Sequence, residues 1–294
     1  MDARGELQTM IEHGELTMRA VGRSINVSTT TVSLWLRGEY PGDNAKVEKK
    51  VKTFIARRKR RRRGPREIAF RWTTAARRIT ETLDVAHQEQ AFAVVLGPSG
   101  IGKTTALKYY CSKHDSAILV EADPTQSERK GFLQAILDVL GGPTKGTARA
   151  LMKDILDRLS GRDVLLIIDE AEHLSIKSLD CARIIAERSG AALVLSGLEE
   201  ILMPKLRDDR LAQRILNRIS LACLLSKIEA KDLQQIVEQM DLPEIVQAAI
   251  IAASLGCPRR AALLARRVKR LQLINPEAAV DESMVKDATQ LLLV

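Results

Sequence analysis

The sequence predicts an α/β fold: a doubly wound parallel sheet with a helical C-terminal lid, preceded by a small all-α domain. Three observations carry that prediction. Short apolar, branched runs at 91–96, 117–122, 164–168, 191–195 and 218–225 alternate with helix-compatible stretches, as parallel strands joined by crossovers do. After residue 226 the pattern is wholly helical, with helices expected over 230–240, 243–255, 258–273 and 282–292. The first quarter of the chain also differs in charge. Residues 1–66 hold 16 Lys and Arg against 7 Asp and Glu, and the whole chain 46 against 37, so the net +9 lies entirely in front. That asymmetry reads as a neutral body carrying a basic module for a polyanion.

A chain of 294 residues has room for about two domains. The expected divisions are 1–56, a basic linker and lead-in over 57–84, a core over 85–226 and a lid over 227–294. A hydrophobic share of 45% and a charged share of 28% exclude a collagen-like or wholly disordered chain. No apolar run approaches the roughly 18 residues that span a bilayer, so no membrane is expected. The start of the chain has no apolar core of the secretory kind. Cys111, Cys181, Cys223 and Cys257 lie far apart without a CxxC pair, which argues against zinc ribbons and a disulfide framework. The expected location is the cytoplasm.

Taken in chain order, residues 17–37 read as two short helices around a tight turn. Thr17 and Ser28 are placed to cap them, Asn26 suits a left-handed turn, and Gly38 follows the second helix. Val32, Trp35 and Leu36 form the inward stripe of that second helix. Thr29, Thr30, Ser33 and Arg37 lie on its other face, short hydrogen-bonding groups and one long cation of the kind that reads a major groove. The stretch INVSTTTVSLWLRGEY resembles the helix-turn-helix of small phage repressors. Next come seven consecutive cations, residues 57–63, then Gly64 and Pro65. Like charges repel and Gly-Pro punctuates, so 57–66 is expected to be a solvated linker that doubles as a phosphate-binding arm.

The first strand, 91–96, leads straight into GPSGIGKT at 97–104, the full GxxxxGK[ST] pattern, and then into a helix. Strand, loop and helix in that order are the context this motif requires. Its glycines let backbone N–H groups close around phosphate oxygens, and the helix N-terminus adds its positive dipole end. The expected nucleotide-binding set is Gly97, Pro98, Ser99, Gly100, Ile101, Gly102, Lys103, Thr104 and Thr105. Lys103 is expected to reach the β- and γ-phosphates of ATP, and the Thr104 hydroxyl to ligate Mg2+.

The second half of the site is VLLIIDE at 164–170, an apolar strand ending in two carboxylates. Asp169 is placed to hold Mg2+ through water, and Glu170 to orient and polarise an attacking water. His173 reads as a loop residue. In the lid, Arg259 stands at a helix start, where its guanidinium could reach back to a nucleotide.

A phosphate loop, the LLIIDE strand, an arginine cluster and a helical lid together resemble AAA+ ATPases over roughly 85–273. The resemblance implies an arginine finger supplied by a neighbouring subunit. Its position falls in DRLAQR at 209–214, on Arg214, with Arg210 and Arg218 as alternatives. It also implies a lid arginine at the nucleotide, which maps to Arg259 in GCPRRAAL. One departure is visible: the family often has a polar sensor, commonly Asn, after the glycine of the fourth strand, where this chain has Leu198 following Gly197. Ser196 or Glu199 is the available substitute.

The helix-turn-helix ending in GEYPGDNAKVEKKVKTFI, the basic run and LLIIDEAEHL together resemble the B transposition proteins of Mu-type transposing phages. That resemblance implies ATP-dependent binding of duplex DNA with little sequence preference, self-association into a helical filament, and delivery of target DNA to a transposase. Hydrolysis would then release the protein. Nine aromatic residues in all make a base-stacking platform for single strands a poor fit, whereas backbone binding needs only cations. Lys145, Arg149 and Lys153 recur every four residues and are expected to form a cationic stripe on one helix face toward DNA. Two rival classes remain: a sequence-specific regulator that uses nucleotide as a ligand, and a replication initiator or loader with the same ATPase core.

Overall fold

The computed structural model describes residues 2–62, 65, 67–226 and 228–290. Internal contacts divide the chain into two compact units, Met1–Pro65 and Arg66–Val294.

The first unit is four helices, α1 (Ala3–Glu12), α2 (Met18–Ile25), α3 (Thr29–Arg37) and α4 (Asn44–Arg62). Thr17 and Ser28 cap α2 and α3 by accepting the N–H groups of Ala20 and Thr31 at 3.2 and 3.0 Å. Asn26 (φ 53°) and Gly38 (φ 81°) end the same two helices in left-handed backbone. Leu7, Val21, Val32, Trp35, Val51 and Ile55 make a small core of their own.

Helix α4 corrects the expectation of a linker from residue 57. It runs on through Arg62, and the unit closes at Pro65. The buried seam Val47, Val51 and Ile55 keeps helical spacing up to the edge of the basic run. Repulsion there is offset from across the unit: Lys59 pairs with Glu6 of α1 at 2.7 Å, and Arg58 donates to the Glu15 carbonyl at 3.0 Å. Those partners lie more than 40 residues away in sequence, beyond any local reading. Arg63, Gly64 and Arg66 of the expected linker lie outside the described residues.

The second unit opens with α5 (Thr74–Gln88), capped by Thr73 and packed through Ile79 and Leu83. The lead-in expected up to residue 84 is therefore largely a core helix. Next come β1 (Phe92–Leu96), α6 (Lys103–Cys111), β2 (Ala117–Glu121), α7 (Arg129–Val139), α8 (Ala148–Leu159), β3 (Leu165–Asp169), α9 (Ile176–Ser189), β4 (Ala192–Gly197), α10 (Glu199–Asp208), α11 (Gln213–Leu216) and β5 (Ile219–Leu224). The lid follows as α12 (Ala230–Val237), α13 (Glu244–Ala253), α14 (Pro258–Ile274) and α15 (Glu282–Gln290).

The sheet order is β2-β3-β4-β1-β5, and every pairing is parallel. Alternate residues feed two cores. Val95, Leu165, Ile167 and Val194 pack toward α5, α6 and the lid. Val94, Leu96, Leu166, Ile168 and Leu195 pack toward α7, α8, α9 and α10. Strand β3 is buried on both faces, which is why its sequence is a continuous apolar run. Each fully buried Leu or Ile contributes about 1.5–3 kcal/mol, so the central strands are the stable frame. Because all strands run the same way, their carboxyl ends share one edge. Register there pairs Glu121 with Asp169, and Leu96 with both Gly197 and Leu224. Among the described residues, no helix is long and apolar enough to cross a membrane.

Candidate nucleotide-binding site

The loop between β1 and α6 leaves the sheet at its carboxyl edge. Gly100 (φ 79°) and Gly102 (φ 105°) hold the left-handed backbone that turns the loop back on itself, a conformation any side chain would strain. The first free N–H groups of α6 then face the concavity, with the positive end of the helix dipole behind them. Lys103 is 8% exposed, and its ammonium donates to the carbonyls of Gly97 and Pro98 at 2.6 and 3.1 Å. Burial lowers its pKa below the usual lysine value, and the charges of Asp169, Glu172 and Glu170 pull the other way.

Asp169 ends β3 and is 1% exposed. Its Oδ2 accepts the Thr104 hydroxyl at 2.6 Å and its Oδ1 the Ser196 hydroxyl at 2.7 Å. Glu170 is next, in left-handed backbone (φ 54°), and it lines the same cavity as the loop. Burial, followed by the charges of Glu172 and Asp169, pushes the Glu170 carboxyl up, against a downward pull from Lys103 and His173. His173 Nε2 stands 3.9 Å from Glu170 Oε2, so it neighbours the site from the loop.

Lys103, Thr104 and Glu170 line one cavity of about 440 Å³, and Asp169 is joined to it through the Thr104 hydroxyl. Ser99, Gly100, Ile101, Gly102, Lys103, Thr104, Thr105, Glu170 and Arg259 all face it, while Gly97 and Pro98 contribute the carbonyls that hold Lys103. The lid reaches the loop directly: the Arg259 N–H donates to the Gly100 carbonyl at 3.3 Å. Between the two polar residues available at the end of β4, the fold places Ser196 on Asp169, while Glu199 opens α10.

Other sequence-derived candidates lie elsewhere. Arg210, Arg214 and Arg218 are exposed and outside the cavity, and Arg218 pairs with Glu187 at 3.1 Å. Thr29, Thr30 and Arg37 are exposed on α3, with Ser33 half-buried and accepting from Arg37 at 3.1 Å. Arg149 and Lys153 are exposed one turn apart on α8. Lys145 is exposed too but precedes that helix, because Gly146 (φ 145°) and the Thr147 cap start it at Ala148. The expected three-residue stripe on one helix face is thus a pair plus a loop lysine.

Sequence reasoning missed three contributors. Arg266 lines the cavity seven residues after Arg259, a two-turn spacing that α14 could have revealed. An extended segment, residues 67–73, forms another wall, and its only sequence trace is the alternation of Ile68, Phe70 and Trp72 with polar or small residues. Glu172 is 6% exposed behind the site, and neither of its carboxylate oxygens has a hydrogen-bond partner among the described residues.

The arrangement suits a polyphosphate held by backbone N–H groups and a lysine. It also suits a hard cation taken by a hydroxyl and a carboxylate, with a second carboxylate beside it. Comparisons with known proteins bear on the fold and the family. The family model described as AAA domain matches residues 86–203. The solved structures of Aeropyrum pernix ORC2 in its ADP form and of a variant of Thermotoga maritima RuvB share the fold. Their TM-scores are 0.58 and 0.51 at 16% and 20% identity, over 72% and 74% of this chain and 67% of each of theirs. The ATP-dependent target DNA activator B of Escherichia phage Mu is 25% identical over 81% of this chain and 77% of its own. The Mu-like prophage FluMu DNA transposition protein B of Haemophilus influenzae is 32% identical over 67% of this chain and 69% of its own. On fold, site and kinship together, the chain belongs to the DNA transposition protein B family and is an AAA+ ATPase.

Proposed function

We propose that this chain binds ATP with Mg2+ in the loop cavity, assembles with ATP on duplex DNA of arbitrary sequence as a helical filament, and presents that DNA to a transposase. Hydrolysis then releases it. The observation that carries the reading is the single cavity in which Lys103, Thr104, Glu170 and Arg259 meet at the carboxyl edge of the sheet. The DNA and transposase roles rest on kinship with proteins named as transposition protein B and target DNA activator B.

Within that reading each residue has a task. Lys103 leaves its own loop carbonyls for phosphate oxygens when nucleotide enters. Thr104 and Asp169 would hold Mg2+, whose charge would offset that developing on the phosphates. Ser196 keeps the Asp169 carboxylate aimed. Glu170 orients the attacking water, and Arg259 and Arg266 supply charge from the lid. Arg214 serves as the finger on the γ-phosphate bound by a neighbouring copy, which accounts for its exposure outside its own cavity. Helix α4, with Thr29, Thr30, Ser33 and Arg37 of α3, binds DNA, and Lys145, Arg149 and Lys153 add backbone contacts. The setting is the host cytoplasm.

One observation favours a second reading. Helix α3 is capped at its start, closed by a left-handed glycine, and presents a polar exposed face, as a base-reading helix does. That would suit a sequence-specific regulator. Fluorescence anisotropy of a random-sequence duplex, titrated under ATP, ADP and no nucleotide, separates the two. Steep cooperative binding with ATP alone is the expected result. Binding indifferent to nucleotide would place affinity in the first unit, and no binding to random DNA would favour the regulator. Lys103→Ala is expected to remove nucleotide binding and DNA assembly together.

A further inference from the structure

The cavity wall made by residues 67–73 has no regular secondary structure, yet it is fastened at both ends to the lid. At one end the Ala69 N–H donates to Gln239 Oε1 at 2.8 Å, and Gln239 Nε2 donates back to the Ala69 carbonyl at 3.2 Å. A single side-chain amide thus satisfies both backbone groups of one residue, as a neighbouring strand would. At the other end the Thr74 N–H donates to both oxygens of Asp232, each at 3.0 Å, and Asp232 is 1% exposed. On the opposite side Phe70 stacks on Tyr109 of α6, with centroids 3.9 Å apart and planes within 7°. The segment is clamped between the lid and the helix that follows the phosphate loop.

Geometry assigns this wall to one end of the ligand. With phosphates on the loop at Ser99–Thr104, the base of a nucleotide would lie against an apolar part of the remaining lining, made by Ile68, Ala69 and Phe70 of the segment with Ile236 and Ala262 of the lid. We propose that Gln239 is a positioning residue that fixes residues 67–73 as the base-side wall of the nucleotide site. It touches no phosphate-binding group and acts through the Ala69 backbone. Asp232 fixes the far end of the same wall. This inference rests on the nucleotide reading of the cavity and deepens it.

The two readings come apart in a binding experiment with two probes, MgATP and inorganic tripolyphosphate, titrated calorimetrically into the full chain. Tripolyphosphate uses the loop but has no base. Gln239→Ala is expected to weaken ATP about five- to tenfold, the size of one or two lost hydrogen bonds, and to leave tripolyphosphate unchanged. In turnover the loss should appear in KM, with kcat at saturating ATP retained. Gln239→Glu keeps the acceptor for the Ala69 N–H and loses the donor to its carbonyl, so it should fall between. Unchanged ATP affinity in Gln239→Ala, or an equal loss for both probes, would overturn the assignment. A wild-type chain that bound neither probe would overturn the nucleotide site itself.

Discussion

Thr104 donates its hydroxyl to Asp169 across 2.6 Å, tying the first turn of α6 to the carboxyl end of β3. The two halves of the site are 65 residues apart in sequence, and this contact sets their distance before any ligand arrives. Ser196 takes the other Asp169 oxygen at 2.7 Å from β4. A carboxylate almost wholly withdrawn from water is thereby satisfied by hydroxyls from two sides, and its direction is set.

Ser196→Ala should therefore act on stability and on catalysis at once. It leaves one oxygen of a buried carboxylate without its donor, which costs about 1–3 kcal/mol. The expected outcome is a lower urea midpoint with an unchanged slope, together with slower ATP hydrolysis. A variant with the wild-type midpoint would show that the Ser196 contact contributes nothing to the folded state.

Glu170→Gln removes the carboxylate proposed to orient the water and keeps the shape of the side chain. ATP and DNA binding should survive, because the proposed phosphate contacts come from the loop and Lys103. Hydrolysis should fall by about 10²- to 10⁴-fold, the usual range for a lost general base. Pre-formed protein–DNA complexes should then persist under ATP in a dissociation assay. Normal hydrolysis by this variant would remove Glu170 from its assigned role.

Much of the site was legible because its signals are local. GPSGIGKT follows directly on its strand and VLLIIDE contains its own, so each ties chemistry to a strand end, and β1 and β3 lie within one residue of the expected spans. Ser196 and Glu199 were equivalent on paper; β4 ending at Gly197 and α10 starting at Glu199 separate them. What stayed hidden depends on distant partners. Helix α5 packs with small Ala75 and Ala76 beside Ile79, a weak periodic signal next to a basic run. The helical continuation of α4 needs Glu6, and the 67–73 wall needs Gln239, 170 residues on from Ala69. Lys145 fitted a four-residue spacing, but spacing alone could not locate the start of α8.

Gly197 marks a close approach that no motif records. A Cβ built there would collide with Glu172 Oε2 and stand 3.4 Å from Leu202 Cδ2. The end of β4 is held in register by β1, so the added methyl must displace the buried Glu172 carboxylate. Gly197→Ala should destabilise by about 1–3 kcal/mol, as overpacked cores do. Because Ser196 is its neighbour, ATP hydrolysis should fall as well. A Gly197→Ala variant with the wild-type urea midpoint would mean that crowding at Glu172 is relieved by movement.

The cysteines give a chemical reading of the same site without mutation. Burial pushes the Cys111 thiol up to about 11, and it also raises Cys181 and Cys223. Only the thiolate reacts with iodoacetamide, so at pH 8 about one Cys111 in a thousand is reactive at any moment. Its alkylation rate should climb about tenfold per pH unit between about pH 8 and 10 and level off above about 11. Cys257 is placed differently: its Sγ stands 3.9 Å from the Gly100 carbonyl, at the start of α14 where the lid meets the phosphate loop. Saturating MgATP should slow labelling at Cys257, because phosphates on the loop draw Arg259 and the lid down over it. Cys111, on the far end of α6, should label at the same rate with or without nucleotide. Peptide mass spectrometry after timed alkylation resolves the two sites, and equal protection of both would point to global stiffening instead of closure at the loop.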